Sequence, residues 1–356
     1  MKISILGGGH GSYAAAADLS EQAHSVALWR RSAGQFGSLA SDQTLQLKDH
    51  KGQRAVRLDR VTADLAEAME GAELILVFTP AFAQENIARA MAPHLTAGQV
   101  VFLAPGSLGS MAMAAVVRSE GGAAATWAET GTLPYLARKH DEQTVAITVR
   151  AKHLPTGVFP ADNTAAAMAV IQAAYPSVHS IEDALSGALM NAGPIIHPPL
   201  ILMNAGPLEH FDSWDIHNEG TQPAIRRVTD RLDAERIAVR EALGYAPNHY
   251  PLADHYNTDR WMYGDAHDRL TDSGDWREKI ELTSHRYMTE DVAYGLGLLV
   301  SIARYANSAA PIANSLHSLG QAVCSDQFQY GARSLESLGL ADMSAGSLRR
   351  LLKDGY

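Results

Sequence analysis

Short apolar runs alternate with stretches of helical spacing through the first half of the chain, and then the runs stop. Ile3–Leu6, Ser25–Trp29, Leu74–Phe78 and Val100–Leu103 are largely apolar without polar alternation, the pattern of strands buried on both faces of a parallel sheet. Residues 123–128 and 144–149 predict two further strands. Helical spacing fills the intervals over Tyr13–Gln22, Asp64–Glu70 (with Thr62 as the expected cap) and Phe82–Leu95. Thr79-Pro80 and Pro105-Gly106 stop the strands that precede them. Beyond about residue 183 only helical spacing persists, over Ala184–Asn191, Leu200–Gly206, Ala224–Leu243, Met288–Tyr305 and Ile312–Cys324, punctuated by Pro194, Pro198, Pro199 and Pro207. The pattern predicts a Rossmann-type, doubly wound α/β sheet over residues 1–183, followed by an all-α domain over 184–356. Ligand is expected in the crevice at the carboxyl ends of the strands, beside the 79–81 and 105–107 turns.

Composition narrows the partners. With 46% hydrophobic and 19% charged residues, 356 residues fill two cores. A net charge of −10 argues against nucleic acid and anionic membrane surfaces. Cys324 is the single cysteine, which excludes an intrachain disulfide and a cysteine zinc cluster and fits a reducing cytoplasm; no metal is expected. No apolar stretch approaches the ~20 residues of a membrane-spanning helix, and the opening run is too short for the core of a signal peptide.

The first strand–helix junction carries chemistry. Ile3–Leu6 runs into Gly7-Gly8-Gly9-His10-Gly11-Ser12, and an alanine-rich helix follows. Gly7 permits the sharp turn, Gly9 lets the backbone approach a pyrophosphate, and the helix N-terminus offers N–H groups and a partial positive charge. Ser12 stands where a third glycine usually sits and is small enough for helix–strand packing. This predicts a dinucleotide site, with Thr79 and Pro80 on the nicotinamide side. An NAD-selective domain places a carboxylate about 20 residues on, for the ribose 2′-hydroxyl. Here Arg30 and Arg31 occupy that place, and the next carboxylate is Asp42. A guanidinium pairs with a 2′-phosphate that a carboxylate would repel. NADP(H) is therefore the expected cofactor, with NAD(H) second; the alternative is two solvated arginines on a loop.

Two segments of the helical half hold candidate reacting groups. Asn191-Ala-Gly-Pro-Ile-Ile-His197-Pro-Pro sets an imidazole between apolar residues and a proline pair that fixes the local backbone. The plain alternative is a satisfied core histidine. His285-Arg286-Tyr287-Met288-Thr289-Glu290-Asp291 gathers two carboxylates, a guanidinium and an imidazole at the start of an apolar helix. Thr289 as the cap, with both acids in the first turn, is the structural alternative. In the functional reading one carboxylate orients His197 as a general base, and Arg286 grips a substrate carboxylate.

These residues resemble the opine dehydrogenases, among them octopine, nopaline and N-(1-carboxyethyl)norvaline dehydrogenases, along essentially the whole chain. The resemblance rests on Gly7–Ser12, on Glu129-Thr-Gly-Thr-Leu-Pro-Tyr135, on Asn191 to Pro198, on Arg286-Tyr-Met-Thr-Glu-Asp291 and on Arg333-Ser-Leu-Glu-Ser-Leu-Gly-Leu. It implies an NAD(P)-dependent oxidoreductase acting on CH–NH groups. Such an enzyme condenses an amino acid with a 2-oxo acid such as pyruvate to an imine and reduces it to an N-(carboxyalkyl) amino acid, reversibly. By the same resemblance His197 is the acid/base, Asp291 holds its tautomer, and Arg286, Thr132 and Asn191 contact substrate. Glu129-Thr130-Gly131 leaves open which threonine faces the oxo acid. The aromatic stretch Tyr250–Tyr263 is expected to shape the amino-acid pocket, and the expected assembly is a homo-oligomer, a dimer. Two rivals share the domain order or the cofactor. One is a reductase of the ketopantoate reductase or glycerol-3-phosphate dehydrogenase type, which uses a lysine acid; before residue 353 the helical half has only Lys279. The other is a non-catalytic NADP(H)-binding sensor.

Overall fold

A computed structural model of the chain describes residues 1–254, 261–264, 279–324 and 333–356. Its first half is built from β1 (Lys2–Leu6), α1 (His10–Glu21), β2 (Ser25–Trp29), α2 (Leu39–Asp42), β3 (Thr44–Asp49), β4 (Gly52–Arg57), β5 (Arg60–Thr62), α3 (Leu65–Met69), β6 (Leu74–Val77), α4 (Ala81–Met91), β7 (Val100–Leu103), α5 (Gly109–Ser119), β8 (Thr126–Thr130), β9 (Tyr135–Lys139), β10 (Thr144–Arg150), β11 (Leu154–Phe159), α6 (Thr164–Ala174) and β12 (Val178–Ser180). The main sheet has eight strands in the order β12-β11-β8-β7-β6-β1-β2-β5. The strands from β8 to β5 pair in parallel, and β11 enters antiparallel to β8. The order reverses between β1 and β6 (Ile3 opposite Leu74, Leu6 opposite Val77), which opens the crevice above the glycine turn. β6 and β7 are apolar throughout, and β1 is buried from Ile3 to Leu6 with Ser4 as its one polar residue there, because helices cover both faces.

A second sheet, β4-β3-β10-β9, has no counterpart among the strands expected between Trp29 and Leu74. β3 and β4 form a hairpin whose outward residues are mostly polar, so the chain there does not read as a strand, and β3 pairs with β10 about a hundred residues on (Gln46 opposite Thr144). Charge fastens this sheet to α1. Arg54 pairs with Glu21 and Asp49, and Arg150 with Asp18 and Asp49. The guanidinium of Arg54, assisted by Arg150, holds the Asp49 carboxyl well below the usual range.

The remaining elements are helical: α7 (Ala184–Ala188), α8 (Gly193–Met203), α9 (Ala205–His210), α10 (Pro223–Ala242), the π-helical α11 (Tyr287–Leu296), α12 (Gly297–Tyr305), α13 (Pro311–Cys324) and α14 (Ala345–Asp354). Three local expectations are corrected. Asp64, not Thr62, caps α3, accepting the Glu67 N–H at 3.1 Å, while the Thr62 hydroxyl accepts the Asp64 N–H and bonds the Glu67 carboxylate. Pro198 and Pro199 do not end a helix but lie inside α8; lacking N–H groups, they leave the carbonyls four residues back without helical donors. Thr289 caps nothing, because α11 begins earlier, at Tyr287, and the threonine hydroxyl bonds the His285 carbonyl behind it at 3.4 Å.

Candidate active site

The nucleotide side is made largely of backbone. Gly7 has φ +146°, and a Cβ there would stand 2.6 Å from Ser12 Oγ and 3.2 Å from the Phe78 carbonyl, so the turn requires glycine. Gly9 is the N-cap of α1, and a Cβ on it would meet nothing within 4 Å. The backbone at Gly9 thus faces open space, as the approach of a pyrophosphate needs. Gly11 accommodates Leu133, Ser12 Oγ donates to the Phe78 carbonyl at 3.4 Å, and exposed His10 accepts the Lys139 N–H at 2.8 Å. Arg30 lies against Gly8, where a Cβ would clash with its Nε, and donates to the Tyr13 hydroxyl (3.2 Å) and Gln35 Oε1 (3.1 Å). Arg31 beside it is exposed. At the ends of the neighbouring strands, Pro80 is the N-cap of α4, and the buried Thr79 hydroxyl has no hydrogen-bond partner among the described residues. An open glycine cap, a guanidinium at the end of β2 and an unpartnered hydroxyl at the end of β6 fit a nicotinamide dinucleotide.

The helical half answers with side chains. His197 Nδ1 and Asp291 Oδ2, 94 residues apart, lie 2.7 Å from each other across α8 and α11. Gly193 makes this possible: a Cβ there would stand 2.3 Å from Asp291 Oδ1. The Tyr287 ring stacks on the His197 imidazole, centroids 3.7 Å apart and 11° from parallel, and the Tyr287 hydroxyl bonds His217 Nε2 at 3.0 Å. Burial pulls the His197 pKa below its ordinary value of 6.5, against the upward pull of the Asp291 charge and hydrogen bond. With Nδ1–H donated to the carboxylate, the neutral ring presents Nε2 as its acceptor. This pair can take a proton from a ligand and hold the resulting charge.

The other expected residues scatter around this pair. Arg286 is exposed, its guanidinium carbon 5.1 Å from the centroid of Tyr287. Thr132 Oγ1 bonds the Tyr263 hydroxyl (2.5 Å), which donates in turn to the Leu133 carbonyl (2.8 Å). Asn191 is buried, its Nδ2 donating to Ser107 Oγ at 2.9 Å and its Oδ1 accepting the Gly193 N–H at 3.0 Å. It therefore ties the 105–107 turn to the start of α8. In the Tyr250–Tyr263 stretch, residues 255–260 lie outside the described residues. Tyr263 belongs to the aromatic stretch expected at the amino-acid pocket and Tyr287 to the segment that holds Asp291, but the sequence holds no signal that they meet Thr132 and His197, and none that marks His217. Among the described residues no group of His, Cys, Asp and Glu could hold a metal ion, and no helix is long and apolar enough to cross a membrane.

Comparison with known proteins separates the two halves. Residues 180–324 match the family of the NAD/NADP octopine/nopaline dehydrogenase α-helical domain, and residues 3–128 match the ketopantoate reductase PanE/ApbA family. An opine dehydrogenase of Arthrobacter sp. (strain 1C) is 25% identical over 354 residues, covering 97% of both chains. A vitopine synthase of Allorhizobium ampelinum is 27% identical over 364 residues, covering 95% of both. Among solved structures, an octopine dehydrogenase in complex with NADH and agmatine superposes with a TM-score of 0.76 at 17% identity, over 99% of this chain and 98% of that one. The two-domain fold is thus shared from end to end.

Proposed function

From its place in the opine dehydrogenase family, we propose that this chain catalyses the reductive condensation of an amino acid with a 2-oxo acid to an N-(carboxyalkyl) amino acid, and the reverse oxidation. It would thus be an oxidoreductase acting on the CH–NH group. The observation that carries this reading is the 2.7 Å contact between His197 and Asp291 inside the family's helical domain. The amine attacks the oxo carbon, water leaves, and the resulting imine accepts one hydride and one proton. When bound, the nicotinamide cofactor supplies the hydride. Gly7, Gly9, His10, Gly11 and Ser12 hold its pyrophosphate at the first turn of α1, and Thr79 and Pro80 flank its nicotinamide end. Arg30 and Arg31 favour NADP(H) over NAD(H) by offering guanidinium groups to a 2′-phosphate.

His197 handles the proton through Nε2. In the oxidative direction the neutral ring takes it from the secondary amine; in the reductive direction the imidazolium returns it to the imine nitrogen as the hydride reaches the carbon. Asp291 holds Nδ1–H throughout and stabilises the imidazolium when it forms. Arg286 binds a substrate carboxylate, and Thr132 contacts the oxo acid. Asn191 acts on substrate through the turn it holds. We place the division between the two domains at residues 183 and 184, between β12 and α7.

The lysine-dependent reductases are disfavoured, because Lys279 is an exposed side chain paired with Glu281 at 3.5 Å. A silent sensor would have no use for a carboxylate-oriented imidazole beside the cofactor cradle. A reducing cytoplasm and a homodimer complete the reading; light scattering on the purified protein measures the second. The decisive experiment follows NADPH absorbance while amino acids are crossed against pyruvate, glyoxylate, oxaloacetate and 2-oxoglutarate, with the product weighed by mass spectrometry. NADPH loss that requires both substrates, with a secondary amine as product, is expected. Oxidation supported by an oxo acid alone would move the protein to the ketopantoate reductase type.

A further inference from the structure

Two neighbouring carboxylates on α11 serve opposite halves of the molecule. Asp291 reaches His197 on α8, whereas Glu290 Oε2 accepts the Ala81 N–H at 2.8 Å. Glu290 thereby caps α4, whose own N-cap residue, Pro80, supplies no side-chain hydrogen bond. One turn along α11, Ala293 and Tyr294 pack against Ala81 in a small apolar cluster. Arg333, almost fully buried, fastens the same seam. It donates to the Ala81 carbonyl (3.2 Å), to Gln84 Oε1 (2.6 Å) and to the Gly106 and Ser107 carbonyls (3.4 Å), with its guanidinium 5.6 Å from the Tyr294 ring centroid. Tyr287 and Asp291, four residues apart, form the side of α11 that meets His197; Glu290 and Tyr294, also four apart, form the side that meets α4.

We propose that Glu290 is a positioning residue: by capping α4 it sets the placement of α11 against the nucleotide-binding half, and so the placement of His197 relative to the Thr79–Ala81 end of the crevice. The contact itself is geometric; its effect on turnover rests on the reaction proposed above. A carboxylate is an unusual clamp here, because its second oxygen, Oε1, is buried without a hydrogen-bond partner among the described residues. The groups facing it are Asp291 on its own helix, the Ala81 and Phe82 amides of α4 and Arg333, with Glu85 near Arg333. Desolvation outweighs the amides and the arginine and pushes the Glu290 carboxyl up to about 7. The sign follows from this upward shift. The closed arrangement favours the protonated form, so the clamp's contribution is fully present below 4.5 and is lost as pH rises through about 7.

Two variants and two readouts test the clamp. Glu290→Ala removes the cap, and Glu290→Gln keeps an oxygen acceptor but cannot ionise. In Glu290→Ala the amides of residues 81–86 are expected to exchange hydrogen about tenfold faster, as befits a lost capping bond. NADPH affinity should hold while kcat falls about 10- to 100-fold, the effect of a displaced reacting group. Glu290→Gln should recover most of both losses, and its kcat for oxidation of the secondary amine, where the His197 limb rises with pH, should no longer decline as pH rises through about 7. Unchanged exchange in Glu290→Ala overturns the clamp, as does a decline above neutrality that persists in Glu290→Gln. If Glu290→Ala does not fold, the pH profile of Glu290→Gln alone carries the decision. If the wild-type protein forms no secondary amine, the proposed reaction fails, while the exchange of residues 81–86 in Glu290→Gln across neutral pH still decides for or against the clamp.

Discussion

The two halves of this molecule make their sites from different materials. The nucleotide-binding half uses backbone: a glycine at φ +146°, an open cap at Gly9 and the amides of α1, all within one short stretch. The helical half uses side chains carried by separate helices, with His197 and Asp291 meeting over 94 intervening positions. A backbone site is indifferent to most side-chain changes but intolerant of a Cβ in the wrong place. A side-chain site fails at the loss of one functional group. Function should therefore be separable by substitution, with binding lost on one side and chemistry on the other.

The largest expected effect tests that separation directly. His197→Asn should lower kcat about 10²- to 10⁴-fold, the range for loss of a general acid/base, while NADPH titration by fluorescence shows unchanged affinity. If binding collapses as well, the halves are not independent. Asp291→Asn should lower kcat by about 10²-fold or more, because the amide no longer stabilises the imidazolium. Since Asp291 raises the His197 pKa against burial, its removal should also shift a kinetic limb. For oxidation of the secondary amine, kcat/KM rises with pH as the imidazole loses its proton, and in Asp291→Asn this rise should move to lower pH. A rise that stays in place would detach Asp291 from the base.

On the cofactor side, Arg30→Asp should weaken NADPH by about 1.5–3 kcal/mol, the value of a charge-assisted hydrogen bond, and leave NADH nearly untouched. Equal losses for both, measured by isothermal titration, would mean that Arg30 only supports the glycine turn through Tyr13 and Gln35. The smallest effect concerns stability. His317, buried on α13, has its pKa pulled down to about 4 by desolvation. A lowered pKa means that its contribution is present above 6.5 and is lost as pH falls toward 4. Urea unfolding at pH 7 and pH 4.5 should show a decline of up to about 3 kcal/mol that His317→Gln reduces. An identical decline in the variant would assign the acid sensitivity to other groups.

The contrast between backbone and side chains also explains what could be read from the sequence. The glycine turn, the buried strands β1, β2, β6 and β7 and the long helices were legible because each is written in consecutive residues. The β3–β4 hairpin was not: its outward face is polar, and its partner β10 lies far along the chain. The pairing of His197 with an acid followed from chemistry and a family likeness, but no spacing rule joins positions 197 and 291. Tyr287 could not be assigned to the imidazole face, nor Asn191 to Ser107, because those contacts exist only after α7, α8 and α11 have packed. Thr289 misled because a threonine ahead of two acids imitates a capping signal, and α11 had already begun.

The double allegiance of α11 bears on how the gene can vary in length. A point change at Tyr287, Glu290, Asp291 or Tyr294 disturbs one contact and leaves the other three in register. Losing or gaining a single codon between them rotates every later side chain about the axis of this π-helical segment by the turn of one residue. Both partners, α8 and α4, would be misaddressed at once, and no compensating substitution on either could follow. The 287–294 segment is thus constrained in length by the contacts on both of its sides.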